Sequence, residues 1–439
     1  MTPSKYLALL LAVLATVASI MPPPGYMPSD LIPLWGPFEY IRSNNRWICC
    51  GFSGLLVILS MLSQRRLGMA SIPIGAWLLV GLHLLIFLKN LSGDPTQAGL
   101  LLLAFVVMLG ATTLIASGWA SEAKPISRVW MPLSAASLGF LAVNAIQYRI
   151  NPEATMLIGD RFSGTTSNPQ MFSLAIAIIA PILLYQFTKT GNASRKVAIL
   201  AACLMLGFFI ILTGSRLALL LTLFSSLVFF RQKILGLTAF LIPLIAATTL
   251  WTSWVQEIHL DSTERIFSTD NTRGMVWQSQ LESLIANPLW GVPLGASGRV
   301  GFGENSYLAA GVGLGIAGLL LVLAFTAWVV QRIWTLVQIE SKTGWNPELA
   351  LPIAILSSCL VAAFFEAVLL GVFTFPLITM LYTATASEVV VKRFEKAASK
   401  QARRRQRLRR RRTIQVGADE PDPSTGGPHM DTAAPALES

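Results

Sequence analysis

The chain has 439 residues, of which 54% are hydrophobic and only 13% are charged, and its mean hydropathy is +0.61. A soluble domain of this length carries about a quarter charged residues, so the composition excludes an ordinary soluble enzyme and indicates a polytopic membrane protein. The four cysteines lie inside apolar runs and the three histidines are far apart, so the sequence predicts no disulfide framework, metal site or nucleotide site.

Apolar runs of about 20 residues, the length that a bilayer core requires, recur along the chain. They predict twelve transmembrane helices, and therefore an all-α integral membrane protein. The predicted spans are 5–21, 46–62, 72–88, 98–119, 128–147, 171–187, 197–213, 216–230, 234–251, 305–330, 351–370 and 372–391. The first span also fits a signal peptide, but the many later spans favour a helix that is retained.

Positive charges orient these helices, because loops on the cytoplasmic side of a membrane are rich in lysine and arginine. With the N-terminus in the cytoplasm, every predicted inner loop is basic, so both termini are expected to be cytoplasmic in a bacterial inner membrane. The inner-loop charges are Arg65, Arg66, Lys124, Arg128, Lys189, Arg195, Lys196, Arg231, Lys233, Arg332 and Lys342.

Three parts of the chain follow from this topology. Residues 1–150 form the first five helices, residues 151–391 form a second transmembrane domain with a long periplasmic loop at 252–304, and residues 392–439 form a cytoplasmic tail. Within the loop, apolar residues at helical spacing predict an amphipathic helix near 275–285, which Asn287 and Pro288 end.

The tail is strongly basic, since residues 392–412 hold 12 of the 33 lysines and arginines. Such a run directly after a transmembrane span is typical of contact with anionic membrane lipids, and the absence of a folded basic domain or aromatic platform argues against nucleic acid. Residues 413–439 are expected to be disordered.

The predicted outer face is rich in arginine: of its nine positive residues, all but Lys89 are arginine. A guanidinium presents a planar fork that matches phosphate and carboxylate. For Arg42, Arg46 and Arg299 we expect ordinary pairing with acidic loop residues. The full set is Arg42, Arg46, Lys89, Arg149, Arg161, Arg216, Arg265, Arg273 and Arg299.

Three outward segments combine such arginines with small polar residues. The first, 159–169, contains Arg161 and Asn168 and suits sugar or phosphate binding, although a loop with a helix cap also explains it. The second, 212–216, ends at Ser215 and Arg216 at the edge of an apolar run, where an ionisable group is costly and indicates function, with snorkelling as the alternative.

The third segment is the long loop. Its singled-out residues run from Arg273 to Glu304, Asn305 and Tyr307, where the tenth span begins, and Arg265 lies earlier in the same loop. A carboxylate is favoured at that position by the helix dipole, so capping alone also accounts for Glu304.

Together these segments resemble the superfamily of O-antigen ligases and O-antigen polymerases, over roughly residues 150–380. The matching elements are 161–169, 213–216, Arg273 with Trp277, Asn287 and Pro288 with Gly291, and Asn305 with Tyr307. The resemblance implies a glycosyltransferase that moves a glycan from a polyprenyl diphosphate to a glycan acceptor on the periplasmic side, without metal or cofactor.

The chemistry of such a transfer assigns roles to particular residues, because arginines can stabilise the charge of the leaving diphosphate and a carboxylate can orient or deprotonate the acceptor hydroxyl. Arg216, Arg273 and Glu304 are the expected catalytic residues. The expected substrate-binding residues are Arg161, Asn168, Ser215, Arg265, Asn305 and Tyr307. The ligases commonly carry histidine where this chain has Glu304, which favours a polymerase of O-antigen, capsule or exopolysaccharide repeat units over a lipid A-core ligase.

A transporter of an anion or of a lipid-linked glycan is the competing class. A carrier is expected to have broken helices and polar residues at mid-membrane, and the candidates here are His83, Asn144 and Glu366. A purely structural membrane protein fits the polar outer segments less well.

Overall fold

Helices account for nearly all of the chain that the structure describes. The structure is a computed structural model, and it describes residues 3–22, 32–63, 72–91, 93–123, 125–157, 161–233, 273–294, 305–371 and 373–418. Within them the helices are α1 (Pro3–Ala18), α2 (Gly36–Ser63), α3 (Ile74–Lys89), α4 (Pro95–Glu122), α5 (Met131–Ile150), α6 (Pro169–Lys189), α7 (Ala193–Thr213), α8 (Arg216–Phe230), α9 (Arg273–Ala286), α10 (Ser306–Thr343), α11 (Pro347–Phe365) and α12 (Phe375–Ala418). Two short strands, β1 (Met156–Leu157) and β2 (Arg161–Phe162), pair antiparallel.

Seven described helices are long and apolar enough to cross a membrane, namely α2, α4, α5, α6, α7, α10 and α11. Helices α1, α3 and α8 are equally apolar but shorter. The chain is therefore an all-α, multi-pass membrane protein, as its composition predicts. Each predicted span overlaps one of the helices α1 to α12 except 234–251, which lies outside the described residues. The last span, 372–391, overlaps α12, which is not among the apolar helices named above.

Side-chain caps define where many of the helices begin. In six helices an Asn, Asp or Ser oxygen accepts a hydrogen bond from a backbone N–H of the first turn, which satisfies a donor that has no partner within the helix. These caps are Asp94, Asn168, Asn192, Ser215, Asn305 and Asn346. Three predicted substrate-binding residues, Asn168, Ser215 and Asn305, thus each have a capping role.

Helices α6 and α11 form the centre of the bundle, and 78% of the apolar window of each is buried. Helix α6 packs against α7, α8 and α11, while α11 also packs against α8 and α10. Helices α1, α2, α4 and α5 pack together beside them, and α3 lies between α4 and α10.

Helix α10 is interrupted near its start. Gly315 has φ 67° and ψ −162°, a backbone conformation that is essentially restricted to glycine. The loop after α9 occupies the interruption: the N–H of Ile316 donates to the carbonyl of Pro288 at 2.8 Å, and the N–H of Val292 donates to the carbonyl of Val312 at 2.8 Å. The broken turn of α10 therefore finds its hydrogen-bond partners in this loop.

Lys89, the last residue of α3, holds the same junction from the other side. Its ammonium donates to the carbonyl of Gly313 at 2.6 Å and to the carbonyl of Trp290. We call residues 287–292 the docking loop. Lys89, expected as an outer surface charge, is instead a bridge between three parts of the chain.

The chain divides into two compact units, Met1–Val391 and Lys392–Ser439. In the second unit, the described residues are helical up to Ala418. Residues 413–418, expected to be disordered, are therefore helical, and 419–439 lie outside the described residues. The predicted amphipathic helix of the long loop is present as α9, which ends one residue before Asn287.

Candidate functional site

Arg161 joins the first two polar segments. It lies in β2, its side chain is buried, and its Nε–H donates to the carbonyl oxygen of Thr213 at 3.0 Å. Thr213 is the last residue of α7 and begins the turn at 213–216 that the sequence singles out. The contact brings the segments 159–169 and 212–216 together at one end of the bundle, as their predicted placement on the same face requires.

The segment that follows β2 folds into the bundle instead of lying open to solvent. Residues 163–167 are all buried. Oδ1 of Asn144 accepts from the N–H of Thr165 at 2.8 Å, and the hydroxyl of Thr166 donates to the carbonyl of Asn168 at 2.9 Å. Asn144 lies six residues before the end of α5, or about 9 Å along the helix. The polar groups expected to contact a sugar are thus used largely within the protein.

The second segment is a sharp turn between two helices. Gly214 has φ 56°, the left-handed conformation with which helices commonly end, and it closes α7. Ser215 accepts a hydrogen bond from the N–H of Ala218 at 3.2 Å and begins α8. Arg216 is the first residue of α8 and its side chain is exposed. The partial positive charge of the helix N-terminus and the guanidinium therefore act at the same place.

Arg273, the first residue of α9, forms an ion pair with Glu366. Its Nη2 lies 2.9 Å from Oε1 of Glu366, and its Nη1 donates to the carbonyl of Phe365 at 2.8 Å. The guanidinium also faces the ring of Phe365, 5.5 Å from the ring centroid. The arginine side chain is 22% exposed and the glutamate side chain only 7%.

Two further helices contribute to this ion pair. The side-chain amide of Gln170, turned so that its nitrogen faces Glu366, donates to Oε2 at 3.2 Å and to Oε1 at 3.3 Å. The hydroxyl of Ser306 donates to the backbone carbonyl of Glu366 at 2.7 Å. Since Gln170 lies two residues after Asn168, in the first turn of α6, the third segment lies at the same end of the bundle as the first.

Glu366 lies at a helix end, whereas the sequence predicts that a helix continues through it. The predicted span 351–370 runs through it and treats it as a mid-membrane carboxyl. The structure ends α11 at Phe365, leaves Glu366 extended at φ −148° and ψ 148°, and begins α12 only at Phe375. The acidic residue itself, followed by Gly371, is the signal that marks this helix end.

Tyr307 serves the packing of α10. It is 7% exposed, its ring lies 4.6 Å from that of Phe364 between centroids, and its hydroxyl oxygen is 3.1 Å from Oγ1 of Thr326. Asn305 accepts from two backbone N–H groups of the same first turn. Direct contact of either residue with a substrate stays a prediction. The predicted site residues Arg265 and Glu304 lie outside the described residues.

Other polar residues of the helices are held by their neighbours. His83 stacks against Phe105 with 3.4 Å between ring centroids. Arg42 pairs with Glu39 one turn earlier in α2, at 2.6 Å, whereas the sequence predicts pairing with loop acids, most of which lie outside the described residues. Among the described residues, no cluster of three or more His, Cys, Asp or Glu side chains suits a metal ion.

No protein-family model matches the chain, and no curated protein shows significant similarity to it. The resemblance to O-antigen ligases and polymerases therefore depends on the short motifs and on their chemistry. The motifs at this end of the bundle carry three guanidinium groups, those of Arg161, Arg216 and Arg273, and Arg273 pairs with one buried carboxylate, that of Glu366. Such a set can hold an anionic group beside a proton acceptor.

Proposed function

We propose that this protein is a membrane glycosyltransferase that elongates a glycan at the periplasmic surface of a bacterial inner membrane. The donor is a glycan on a polyprenyl diphosphate, and the acceptor is a second glycan. In this proposal the chain crosses the membrane twelve times, with 234–251 as one crossing and with both termini in the cytoplasm. The basic tail then lies against the anionic lipids of the cytoplasmic leaflet.

One observation carries the proposal. Hydrogen bonds link three segments at one end of the bundle. These segments are far apart in the sequence, and each combines arginine with small polar residues. Arg161 contacts the turn before Arg216, and the pair of Arg273 and Glu366 contacts Gln170 beside the first segment. A purely structural role would not require arginines from three separate segments at this end.

The chemistry that these residues support is displacement of a diphosphate. A diphosphate is already a good leaving group, so the protein has to stabilise its charge and to position an acceptor hydroxyl. Exposed Arg216 and half-buried Arg273 are placed to contact the diphosphate, while buried Arg161 fixes the turn that carries Arg216. A single displacement of this kind inverts the anomeric carbon.

Elongation of repeat units is the form of transfer that we favour. The position that carries histidine in ligases is Glu304 here, and a glutamate does not reproduce the chemistry of an imidazole. Transfer to lipid A-core is the alternative within the same class. In a strain without the protein, loss of long chains with single repeats retained supports a polymerase, and lipid-linked polymer beside unmodified core supports a ligase.

The arginine pair provides the direct test. Membranes containing the wild type, Arg216→Ala or Arg273→Ala are supplied with the polyprenyl-diphosphate oligosaccharides that accumulate in cells lacking the protein. Loss of one charged contact to the leaving group is expected to reduce elongation by about 10²–10³-fold. Arg149→Ala is the matched control, because Arg149 is an exposed arginine near the end of α5. Normal elongation by both site variants, correctly inserted, refutes the proposal.

A carrier is the second candidate, and the interruption of α10 favours it, since discontinuous helices are a feature of transporters. Here, however, the docking loop and Lys89 bind the carbonyls at the break, so the protein's own groups use the positions that a transported ion would need. A carrier moves a lipid-linked glycan across a sealed bilayer without lengthening it, which separates the two candidates.

A further inference from the structure

Glu366 occupies a position that the proposed transfer reaction can use. Among the described residues, the buried acidic side chains are Glu340, Glu348 and Glu366. Glu340 lies near the end of α10 and Glu348 at the start of α11, so both are at the opposite end of the bundle from the arginine site. Each of these two is paired with a basic residue there, Arg231 and Lys189 respectively.

The ion pair of Arg273 and Glu366 is unequal in exposure. The side chain of Arg273 is about three times as exposed as that of Glu366, with 22% against 7%. An anionic group that approaches from outside therefore meets Arg273 first. A diphosphate can replace the carboxylate as the partner of Arg273 while Glu366 keeps a neutral hydrogen-bond donor, because both oxygens of Glu366 lie within hydrogen-bond distance of the amide of Gln170.

The exchange also changes what the carboxylate of Glu366 contacts. In the resting pair, Oε1 of Glu366 lies 2.9 Å from Nη2 of Arg273. When Arg273 turns to the diphosphate, this oxygen can instead accept a hydrogen bond from the acceptor hydroxyl, which is the contact that a general base requires.

We propose that Glu366 is the general base that activates the acceptor, and that binding of the lipid diphosphate to Arg273 prepares it for this role. The inference rests on the proposed function. The acceptor hydroxyl gives its proton to Glu366 while its oxygen forms a bond to the anomeric carbon of the donor. The bond from that carbon to the phosphate oxygen breaks, and its electron pair leaves with the polyprenyl diphosphate. Glu366 then returns the proton to water.

Positioning of the base is supplied by the elements around it. Ser306 of α10 binds the backbone carbonyl of Glu366, and the N–H of Glu366 donates to the carbonyl of Ala362 at 2.9 Å. The backbone is thus fixed between α10 and α11 while the carboxylate changes partner. Neutral Gln170 donates to the carboxylate in either state and does not compete for the proton.

The test compares Glu366→Gln with the wild type in purified, full-length protein in nanodiscs, with the same lipid-linked oligosaccharides as substrate. Removal of a general base is expected to lower kcat by about 10²–10⁴-fold, with KM for the donor within about threefold of the wild-type value. Glu388→Gln is the matched control, because Glu388 forms a comparable ion pair with Arg332, at 2.8 Å. Arg332 lies about 39 Å further along α10 than Ser306, so this ion pair is far from the arginine site.

Chemical rescue separates a base from a structural group. We expect formate to restore part of the activity of Glu366→Ala, since a small carboxylate in the vacated space can accept the proton. Absence of rescue together with a raised KM assigns Glu366 to holding Arg273 and overturns the inference. If Glu366→Gln does not fold, Glu366→Asp is used, and retreat of the carboxylate by one methylene is expected to cost about 10²-fold in kcat.

Failure of this inference differs from failure of the proposed function. A rate within about threefold of the wild type for Glu366→Gln or Glu366→Asp, with Arg273→Ala inactive, removes Glu366 as the base and leaves glycan transfer intact. No transfer by the wild type, with the same substrate and with folding confirmed, overturns both.

Discussion

The junction between the docking loop and the interrupted helix α10 gives a sharp test of the fold. A Cβ atom at Gly315 would lie 2.1 Å from the carbonyl oxygen of Leu289 and 2.4 Å from its carbon, both backbone atoms. Gly315→Ala therefore has to displace the loop. The cost combines backbone strain of about 1–3 kcal/mol with the loss of two backbone hydrogen bonds at about 1 kcal/mol each, or about 3–5 kcal/mol in total.

Gly344 is a matched control for this substitution. It has φ 82° and ψ 171°, close to the conformation of Gly315, but a Cβ atom there meets nothing within 4 Å. Gly344→Ala carries the strain alone, so Gly315→Ala is expected to lose about 2 kcal/mol more. Unfolding of the two variants by titration with a denaturing detergent measures the difference. Equal losses refute the docking of the loop into α10.

Three further substitutions test other contacts. Gly164→Ala is expected to destabilise the protein by about 2–4 kcal/mol, because Gly164 has φ 55° and a Cβ atom there would lie 2.1 Å from Oδ1 of Asn144. A melting temperature of the purified variant near the wild-type value contradicts this. Arg161→Met removes the charged donor to the end of α7 and is expected to lower the free energy of unfolding by about 1.5–3 kcal/mol and to abolish most elongation. Unchanged elongation means that Arg161 does not position the turn. Lys89→Met is expected to destabilise the junction and to combine with Gly315→Ala less than additively, since both remove the same docking; additive losses in a double-mutant cycle argue against it.

Much of the architecture follows from local features of the sequence. Apolar length predicts the helices, and capping chemistry predicts several of their starts, because an Asn or Ser before an apolar run satisfies the free backbone donors. The turn at Gly214 and Ser215 is an example: glycine closes one helix and serine begins the next, so two helices meet there with almost no loop, as the sequence predicts.

The sequence predicts the candidate site less completely than the helices, because the contacts that form the site join residues far apart in the chain. Arg273 and Glu366 lie 93 positions apart in the sequence, and a window of apolar residues runs straight across Glu366. The sequence predicts Asn168 and Asn305 as substrate contacts, but an asparagine just before a helix is also a helix cap, and both residues cap helices in the structure. Side-chain type alone does not separate these roles.

The sequence pattern also does not predict the interruption of α10. Gly315 lies in an apolar stretch with several other glycines and alanines, and this stretch predicts one continuous span. The break becomes necessary only when Pro288 and the docking loop are known to occupy it. Lys89 likewise gains its role from carbonyl groups more than 200 positions away, so its sequence position predicts only a surface charge.

The most direct test of the central claim is the size of the product made by the purified protein in nanodiscs. A nanodisc has no enclosed compartment, so transport cannot contribute to the result. With lipid-linked oligosaccharide as the sole substrate, mass spectrometry is expected to show a ladder of products lengthened by whole repeat units, and Arg273→Ala is expected to leave the substrate unchanged. If the folded wild type yields nothing longer than the oligosaccharide supplied, glycan transfer at this site is contradicted.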